Sequence, residues 1–486
     1  MVEGEHVSNR VCSVEMIGRA PCGRPIHTTL PTVDKDPVCL MHSHDLAKGD
    51  PLLRAEFQKE LDATLQRSIM GIADFTGFVF FDCNFKARAL SAACCFSSAT
   101  FEQMAEFSGV TFGMDADFSH TKFRHHAQFF KTSFIGRADF FDAEFEQDAY
   151  FLRATFQREA SFWATRFAAS ADFSHAKFLE SAEFRYTAFC QREARFPGPI
   201  FSFTEFTRPE MVNFCKADLS QALFHDCDVT KVNFSSVIWA TRKGSSKRMA
   251  FEEIVELGTP YASSLWTEGE DPNERDYVVI AELYQRLKKN YDERKDYWTA
   301  GDFHYGEMEM QRLALPAAGP IARFLCWLLA GRFGVTQKGL EAFRRWWHQQ
   351  LSLVAWYKRA SEYGENYIRP LNCLALTLLF FALAFPLVGL QYDPAKDLTA
   401  GKDAKPEVLS YRNASPGGKM ASDSYKSEYQ LVLDSGLSTV EIAFFQKNPI
   451  YEPAGRAGRV LSLVEMLVTS TLIALFLLAI RRQFRR

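Results

Sequence analysis

Three cysteines and a histidine near the start of the chain have the donor types of a metal site. Cys12, Cys22, Cys39 and His42 are spaced C-x9-C-x16-C-x2-H. Three thiolates and one imidazole satisfy tetrahedral zinc. Residues 1–50 hold too little apolar surface for a core of their own, so a bound metal would supply the folding free energy they lack. Of His42 and His44, His42 is favoured as the fourth ligand. The plainer alternative is a tail whose cysteines are incidental, because C-x9-C is looser than a C-x2-C knuckle. Near the other end, Glu465 interrupts an apolar stretch. A carboxylate inside a membrane helix is a functional candidate by default, although it could also reach the outer interface or stabilise the helix N-terminus. Thr439 and Glu441 sit between two apolar stretches, in "LSTVEIAFFQKNPIYEP". His304 and Glu307 have the order H-x-x-E, which matches neither a zinc-protease nor a di-iron motif, and they read as a solvated helix face. No nucleophile–base pair, phosphate loop or nucleotide-binding glycine motif stands out, so no enzyme is expected.

The element that dominates the chain is a repeat over residues 73–240. Phenylalanine returns at alternating steps of five and six: Phe118, Phe123, Phe129, Phe134, Phe140, Phe145, Phe151, Phe156, Phe162, Phe167, Phe173 and Phe178. Alanine keeps the same eleven-residue period, from Ala105 to Ala182. An eleven-residue period can mean a right-handed helical supercoil, but steps of five then six place the two Phe sets roughly 140° apart on a helix, so no stripe forms. A β-solenoid accommodates them. Four short faces close one coil of two fives and two sixes, each face turns one Phe inward, and a small residue sits beside it. Phe118, Phe140, Phe162 and Phe184 then stack in one column, and Phe112, Phe134, Phe156 and Phe178 in another, with coils about 4.8 Å apart.

"ADFSH" at 116–120 and 171–175, "ADFFD" at 138–142 and "ADLSQ" at 217–221 resemble the A-(D/N)-(L/F)-x-x unit of pentapeptide-repeat proteins. The resemblance covers about a third of the chain and implies a right-handed quadrilateral β-helix. "CGRPI" and "CLMHSHD" are similar to small Cys/His modules that precede such repeats in bacterial proteins. Some relatives imitate DNA through acidic faces and bind topoisomerases. Here 21 acidic side chains face 16 basic ones over residues 73–240, a net of −5 with the signs interleaved, which disfavours an acidic DNA mimic and any nucleic-acid partner. His120, His125, His126 and His175 read as solvated corner residues. The repeat breaks near Pro197, Gly198, Pro199 and Pro209, since proline cannot donate to a strand ladder. The eleven cysteines show no regular pairing, so no secreted disulfide framework is implied, and the first 25 residues lack the apolar core of a signal peptide.

Around the repeat, residues 51–72 read as an amphipathic helix capping its open end, with Leu53, Phe57, Leu61 and Leu65 on one face. After Trp239, "TRKGSSKR" reads as a linker, and residues 273–313 as a helical hairpin with Ile280, Leu283, Leu287 and Tyr291 on one face, so 241–318 is linker plus hairpin. Residues 319–370 carry aromatic, basic segments suited to a membrane interface or to a packed soluble pair. Residues 371–390 and 460–480 are long and apolar enough to span a bilayer. "WYKRASEYGENYIRPL" with the first stretch, and the C-terminal stretch, resemble the two-helix channel-like domain of pentapeptide-repeat proteins, with residues 391–459 in the place of pore helix and filter. Thr439 and Val440 are not followed by a filter's glycines, so potassium selectivity is not supported. Seven basic residues flank the inner ends of the two stretches and six the outer ends. That near-tie leaves the large N-terminal part to set orientation: both termini cytoplasmic at a bacterial inner membrane. The expectation is a β-solenoid with an α-helical linker and two transmembrane helices, acting as a membrane-anchored scaffold for an unknown protein partner and homo-oligomeric. The alternative is an oligomeric cation channel-like protein whose gating the solenoid regulates.

Overall fold

The computed structural model describes residues 11–16, 21–27, 38–45, 49–68, 71–81, 83–189, 198–254, 276–314, 327, 336–394, 407–410, 428–444 and 450–484. They fall into two units, Met1–Ala314 and Leu315–Arg486, each described by itself.

In the first unit the repeat winds as a four-sided β-solenoid. Its strands, mostly of two residues, form four parallel sheets of seven, six, five and six strands, in which every fourth strand in sequence is a neighbour. Phe123 pairs with Phe145, and Phe134 with Phe156, each 22 residues on. The inward phenylalanines therefore stack. Phe118, Phe140, Phe162 and Phe184 follow at centroid distances of 4.9, 4.9 and 5.0 Å with rings within 3° of parallel. Opposite columns meet edge to face, as Phe118 and Phe129 do at 5.7 Å and 87°. Both arrangements are favoured by the aromatic quadrupole. All twelve phenylalanines from Phe118 to Phe178 named above are buried. Alanine keeps room beside each ring. Where threonine replaces it, the buried hydroxyl donates to a carbonyl of the preceding coil: Thr121 to Phe96 and Thr132 to Phe107 at 2.8 Å, Thr165 to Phe140 at 2.7 Å.

The five–six alternation comes from two kinds of corner. One is a β-turn, closed by Thr121 N–H on the Phe118 carbonyl, whose third residue is left-handed. That conformation recurs at Ser98, Gly109, His120, Lys131, Asp142, Arg153, Ala164, His175 and Tyr186, mostly without glycine, so the coil must hold it against the Cβ penalty. The other corner, Phe123 to Ala127, is an open bend one residue longer. The aspartate of the Ala-Asp-Phe unit prepares the turn. Asp117, Asp139 and Asp172 accept the amides of Ser119, Phe141 and Ser174 at 2.8, 3.0 and 2.8 Å, the Asx arrangement that starts turns.

The break is an insertion between coils. Lys177 pairs with Glu205 and Ala182 with Val212, so 28 and 30 residues replace 22. Part of the excess is a 3-10 turn at Pro209–Met211; Pro197 lies outside the described residues. Beyond it the coil tightens to 20 residues, Asn213 bridging Asn233 and Asp218 bridging Ile238, in keeping with the strict fives of that flank.

Both ends are closed. Helix α1 (Pro51–Arg67), capped by Asp50, packs Phe57 edge-on to Phe80 at 5.6 Å, and the Met41 carbonyl accepts the Val79 amide at 2.8 Å. At the far end α2 (Tyr277–Glu293) and α3 (Tyr297–Leu313) form a hairpin. The α2 side chain of Asn290 donates to the Val229 and Val232 carbonyls at 2.7 Å, and Trp239 Nε1 donates to the Tyr291 hydroxyl at 2.8 Å. Two readings need correction. "TRKGSSKR" is no linker: it bends at Gly244, and Ala240–Thr241 pairs antiparallel with Arg248–Met249. Nor are His304 and Glu307 solvated. Glu307 is buried, with Lys288 of α2 at 2.9 Å and His304 at 3.6 Å, a non-local charge that local spacing does not show.

In the second unit, α4 (Gln337–Leu351) and α5 (Leu353–Ser361) precede α6 (Ile368–Val388). α7 (Glu428–Ala443) and α8 (Gly455–Phe484) follow. Leu390–Tyr392 pairs antiparallel with Glu407–Leu409 and Tyr451–Pro453. α6 and the Gly455–Arg482 part of α8 have mean hydropathies of 2.3 and 2.4 and are long and apolar enough to cross a membrane. Their outer faces, including Leu379, Phe380, Leu387, Val460 and Leu463, are uncovered. Of residues 319–334 only Trp327 is among the described residues.

Glu252, at the C-terminal cap, accepts the Phe224 amide with one oxygen, and burial pushes its carboxyl from the ordinary 4.5 up to about 7. The folded state keeps a proton that the unfolded state releases, so the contribution is full below pH 4.5 and lost as pH rises towards 7. Thermal melts of the full chain should show about 3 kcal/mol of stability lost across that window. Glu252→Gln should flatten the profile.

Candidate functional site

The N-terminal segment is a hairpin and a turn laid against the first coil. Val11 bridges Pro25; Cys12 N–H donates to the Arg24 carbonyl at 2.7 Å and Cys22 N–H to the Val14 carbonyl at 2.9 Å. The reversal uses Gly23 at φ +65°, where a side chain would be strained. A second turn places the His42 and Ser43 amides on the Cys39 carbonyl at 3.1 Å. The two turns bring Cys12, Cys22, Cys39 and His42 together, with all four donor atoms within 4.8 Å of one another. His42 Nδ1 lies 3.4 Å from Cys12 Sγ and 3.2 Å from Cys39 Sγ; Cys22 Sγ lies 3.8 Å from Cys39 Sγ. A tetrahedral ion with zinc's bond lengths sets edges of about 3.8 Å between sulfurs and about 3.5 Å between sulfur and nitrogen. The group can hold a metal.

Its surroundings favour that use. His42 Nε2 donates to the Thr76 carbonyl at 3.0 Å, which leaves the Nδ1 lone pair facing the thiols and orients the ring as an outer-shell partner does. The ring also meets Phe78 edge-on at 5.3 Å. Cys22 is held well below the usual thiol range by a hydrogen bond from Cys39, helped by His42 and Arg24 and opposed by burial. Cys39, the donor of that bond and itself buried, is pushed far up. Arg24 reaches Cys22 Sγ at 3.5 Å and Glu60 of α1 at 3.1 Å, with its guanidinium 5.1 Å from the Phe78 ring centre. Sequence reading passed over Arg24 and Thr76. Arg24 stands two residues after a ligand, a weak signal; a backbone carbonyl leaves none. His44 stands apart, 3.3 Å from Glu102.

The candidates of the second unit do not form one site. Thr439 lies inside α7, buried, its hydroxyl returned to the Ser435 carbonyl at 2.9 Å. Glu441 accepts the Ile450 amide at 3.3 Å. Thr439 to Ala443 are thus helical rather than a filter strand, and residues 445–449 lie outside the described residues. Glu465 stands ten residues after the start of α8 at Gly455, about 15 Å along the axis. Placing it one turn inside the helix, close enough to serve the N-terminus, is therefore corrected. It is buried, and neither carboxylate oxygen has a hydrogen-bond partner. Ser435, Ser438 and Thr439 of α7 and Thr469 of α8 are also buried. The spacing S-x-x-S-T, which gives α7 a polar face, was the available signal for the two serines.

No family model matches the chain, and no curated protein matches it. Among solved structures it compares with HetL, a pentapeptide repeat protein involved in heterocyst differentiation regulation from the cyanobacterium Nostoc sp. That comparison has 14% identity and a TM-score of 0.13, and covers 34% of this chain and 83% of that one. At that score the likeness carries no argument, and the solenoid rests on its own strand pairing.

A buried carboxyl without partners destabilises its surroundings. Glu465→Met, similar in length and apolar, should raise the stability of the detergent-solubilised full chain by about 1–3 kcal/mol, read as a higher melting temperature. A lower one would show that Glu465 has a stabilising partner.

Proposed function

We propose that this chain is a non-enzymatic, membrane-anchored protein whose solenoid is a rigid protein-interaction platform. The observation that carries the reading is the uncovered apolar surface of α6 and α8, on the same chain as a solenoid closed at both ends. Such surface in a water-soluble unit would drive association; in a bilayer it is solvated. The solenoid's outer faces carry ladders of alternating sign, such as Glu102, Arg124 and Glu146 at 3.1 and 3.7 Å. That pattern suits a protein surface and not the uniform acidity of a nucleic-acid mimic. We place both termini on the cytoplasmic side of a bacterial inner membrane, with the segment between α6 and α8 outside. Full-length protein should stay in the membrane pellet through alkaline carbonate washing and leave it only with detergent. Release by carbonate alone would overturn the anchoring.

The N-terminal group is read as a structural zinc site that closes the solenoid's first edge. Four protein donors leave no open position for catalysis. Purified full chain should contain one zinc per molecule by elemental analysis, and Cys39→Ser should lose it and melt at a lower temperature. A metal-free wild type with an unchanged melt after chelation would end the reading.

A second reading has one specific support. α7 packs against both α6 and α8 and buries its hydroxyl face, the placement of a pore helix. Two spanning helices cannot enclose a channel, so this reading requires several copies around Glu465. Cation conductance of purified protein in planar bilayers, reduced by Glu465→Gln, would favour it.

A further inference from the structure

α5, α6 and α8 enclose a groove of about 790 Å³ in the membrane unit, bordered among others by Trp356, Arg359, Leu376, Thr377, Leu467 and Leu472. That volume lies within the roughly 300–1,000 Å³ of cavities that hold a ligand. The walls are nearly devoid of free polar groups. The two threonines lining the groove return their hydroxyls to their own helices, Thr377 to the Cys373 carbonyl and Thr471 to the Leu467 carbonyl, both at 2.7 Å. Leu376 and Leu467 are 66% and 65% exposed, so the groove opens sideways on the faces that α6 and α8 would turn to hydrocarbon.

The charge at this groove is Arg359. Two of its nitrogens are spent on one neighbour: Nη1 donates to the Gln350 carbonyl and Nη2 to the Gln350 side-chain oxygen, both at 2.5 Å. Its guanidinium lies 5.8 Å from the centre of the Trp356 ring. A guanidinium has five N–H donors, so three remain on a group already held in place, and phosphate is the anion its fork suits. Trp356, 57% exposed on the same short helix, has the residue type that marks the membrane interface.

We infer that this groove binds one anionic phospholipid, with an acyl chain between α6 and α8 and its phosphate on Arg359. The inference rests on the membrane reading above. A second copy of the chain fits less well, because covering the groove would bury Arg359 against apolar walls without a counter-charge.

The test uses Trp356 as the reporter. Full-length protein is reconstituted in nanodiscs in which bromine is carried either by an anionic phosphatidylglycerol or, at equal mole fraction, by zwitterionic phosphatidylcholine. Subtracting the emission of Trp356→Phe isolates the one indole. Its quenching should be about twofold or more stronger with bromine on the anionic lipid. Arg359→Gln should bring the two lipids level, and Leu472→Phe, which narrows the groove while keeping Arg359, should weaken quenching by both. Equal quenching in the wild type, or a preference that survives Arg359→Gln, would overturn the inference while leaving the anchoring intact. A protein that cannot be reconstituted would overturn both. Leu376→Cys cross-linking between copies, with neither lipid reaching Trp356, would give the groove to a second copy and overturn it as well.

Discussion

Two distances coincide in the first unit. A parallel β-ladder holds successive coils 4.7–4.9 Å apart, and phenyl rings stack comfortably at nearly that separation. The chain need not choose between backbone hydrogen bonds and aromatic packing, because one translation satisfies both. The rest of the solenoid follows from that match. A ring on every face leaves space beside it only for alanine, or for a threonine whose hydroxyl takes a carbonyl from the coil before. The rings must also arrive in register, so each corner has to consume a constant number of residues, and the alternation of closed turn and open bend sets that number.

A stack built by translation has no natural end. Its last coil on either side exposes amides or carbonyls with nothing to meet, which is the general liability of edge strands. The two ends are solved by different chemistry. At one, a short segment with few apolar residues relies on converging sulfur and nitrogen donors, on Arg24 bridging to α1, and on Met41 occupying the Val79 amide. At the other, a helical hairpin supplies amide, guanidinium and hydroxyl groups: Asn290, Arg286 and Tyr291 reach the carbonyls of Val229, Cys227 and Phe234. Aromatic contact continues through the junction, from Phe234 to Trp239 to Phe303, so the cap extends the ring stack as well as sealing it.

The features legible in the sequence are those written along the chain. Phe118 and Phe140 announce a column because their separation is itself the coil. Cys12, Cys22, Cys39 and His42 show their chemistry by type, but nothing in C-x9-C-x16-C-x2-H requires the four to converge; the hairpin at Gly23 and the turn at Cys39 do that. What stayed illegible is set by partners distant in sequence or by backbone atoms. Glu252 and Glu253 are adjacent and identical, yet one meets the Phe224 amide and the other Arg242. The strands of "TRKGSSKR" have two residues each, too few for alternation to register. His304 and Glu307 looked exposed because Lys288 belongs to another helix. The groove beside Arg359 draws on three helices, two of them separated by some eighty residues, and no local pattern could assemble it.

The coil-by-coil construction bears on how such a chain can change over generations. The two end pieces recognise the outermost coils and have no contact with the middle ones. An in-frame duplication or loss of one coil's worth of sequence therefore lengthens or shortens the rod by one step and meets the same caps, whereas a smaller change pushes rings into corners and turns the faces out of line. The insertion between the coils of Lys177 and Glu205 shows the permitted exception: extra residues leave at a corner, and the next ring, Phe201, still lands on Phe173 at 5.1 Å. Length in this protein is a countable trait that inheritance can adjust in whole units while the chemistry at both ends stays untouched.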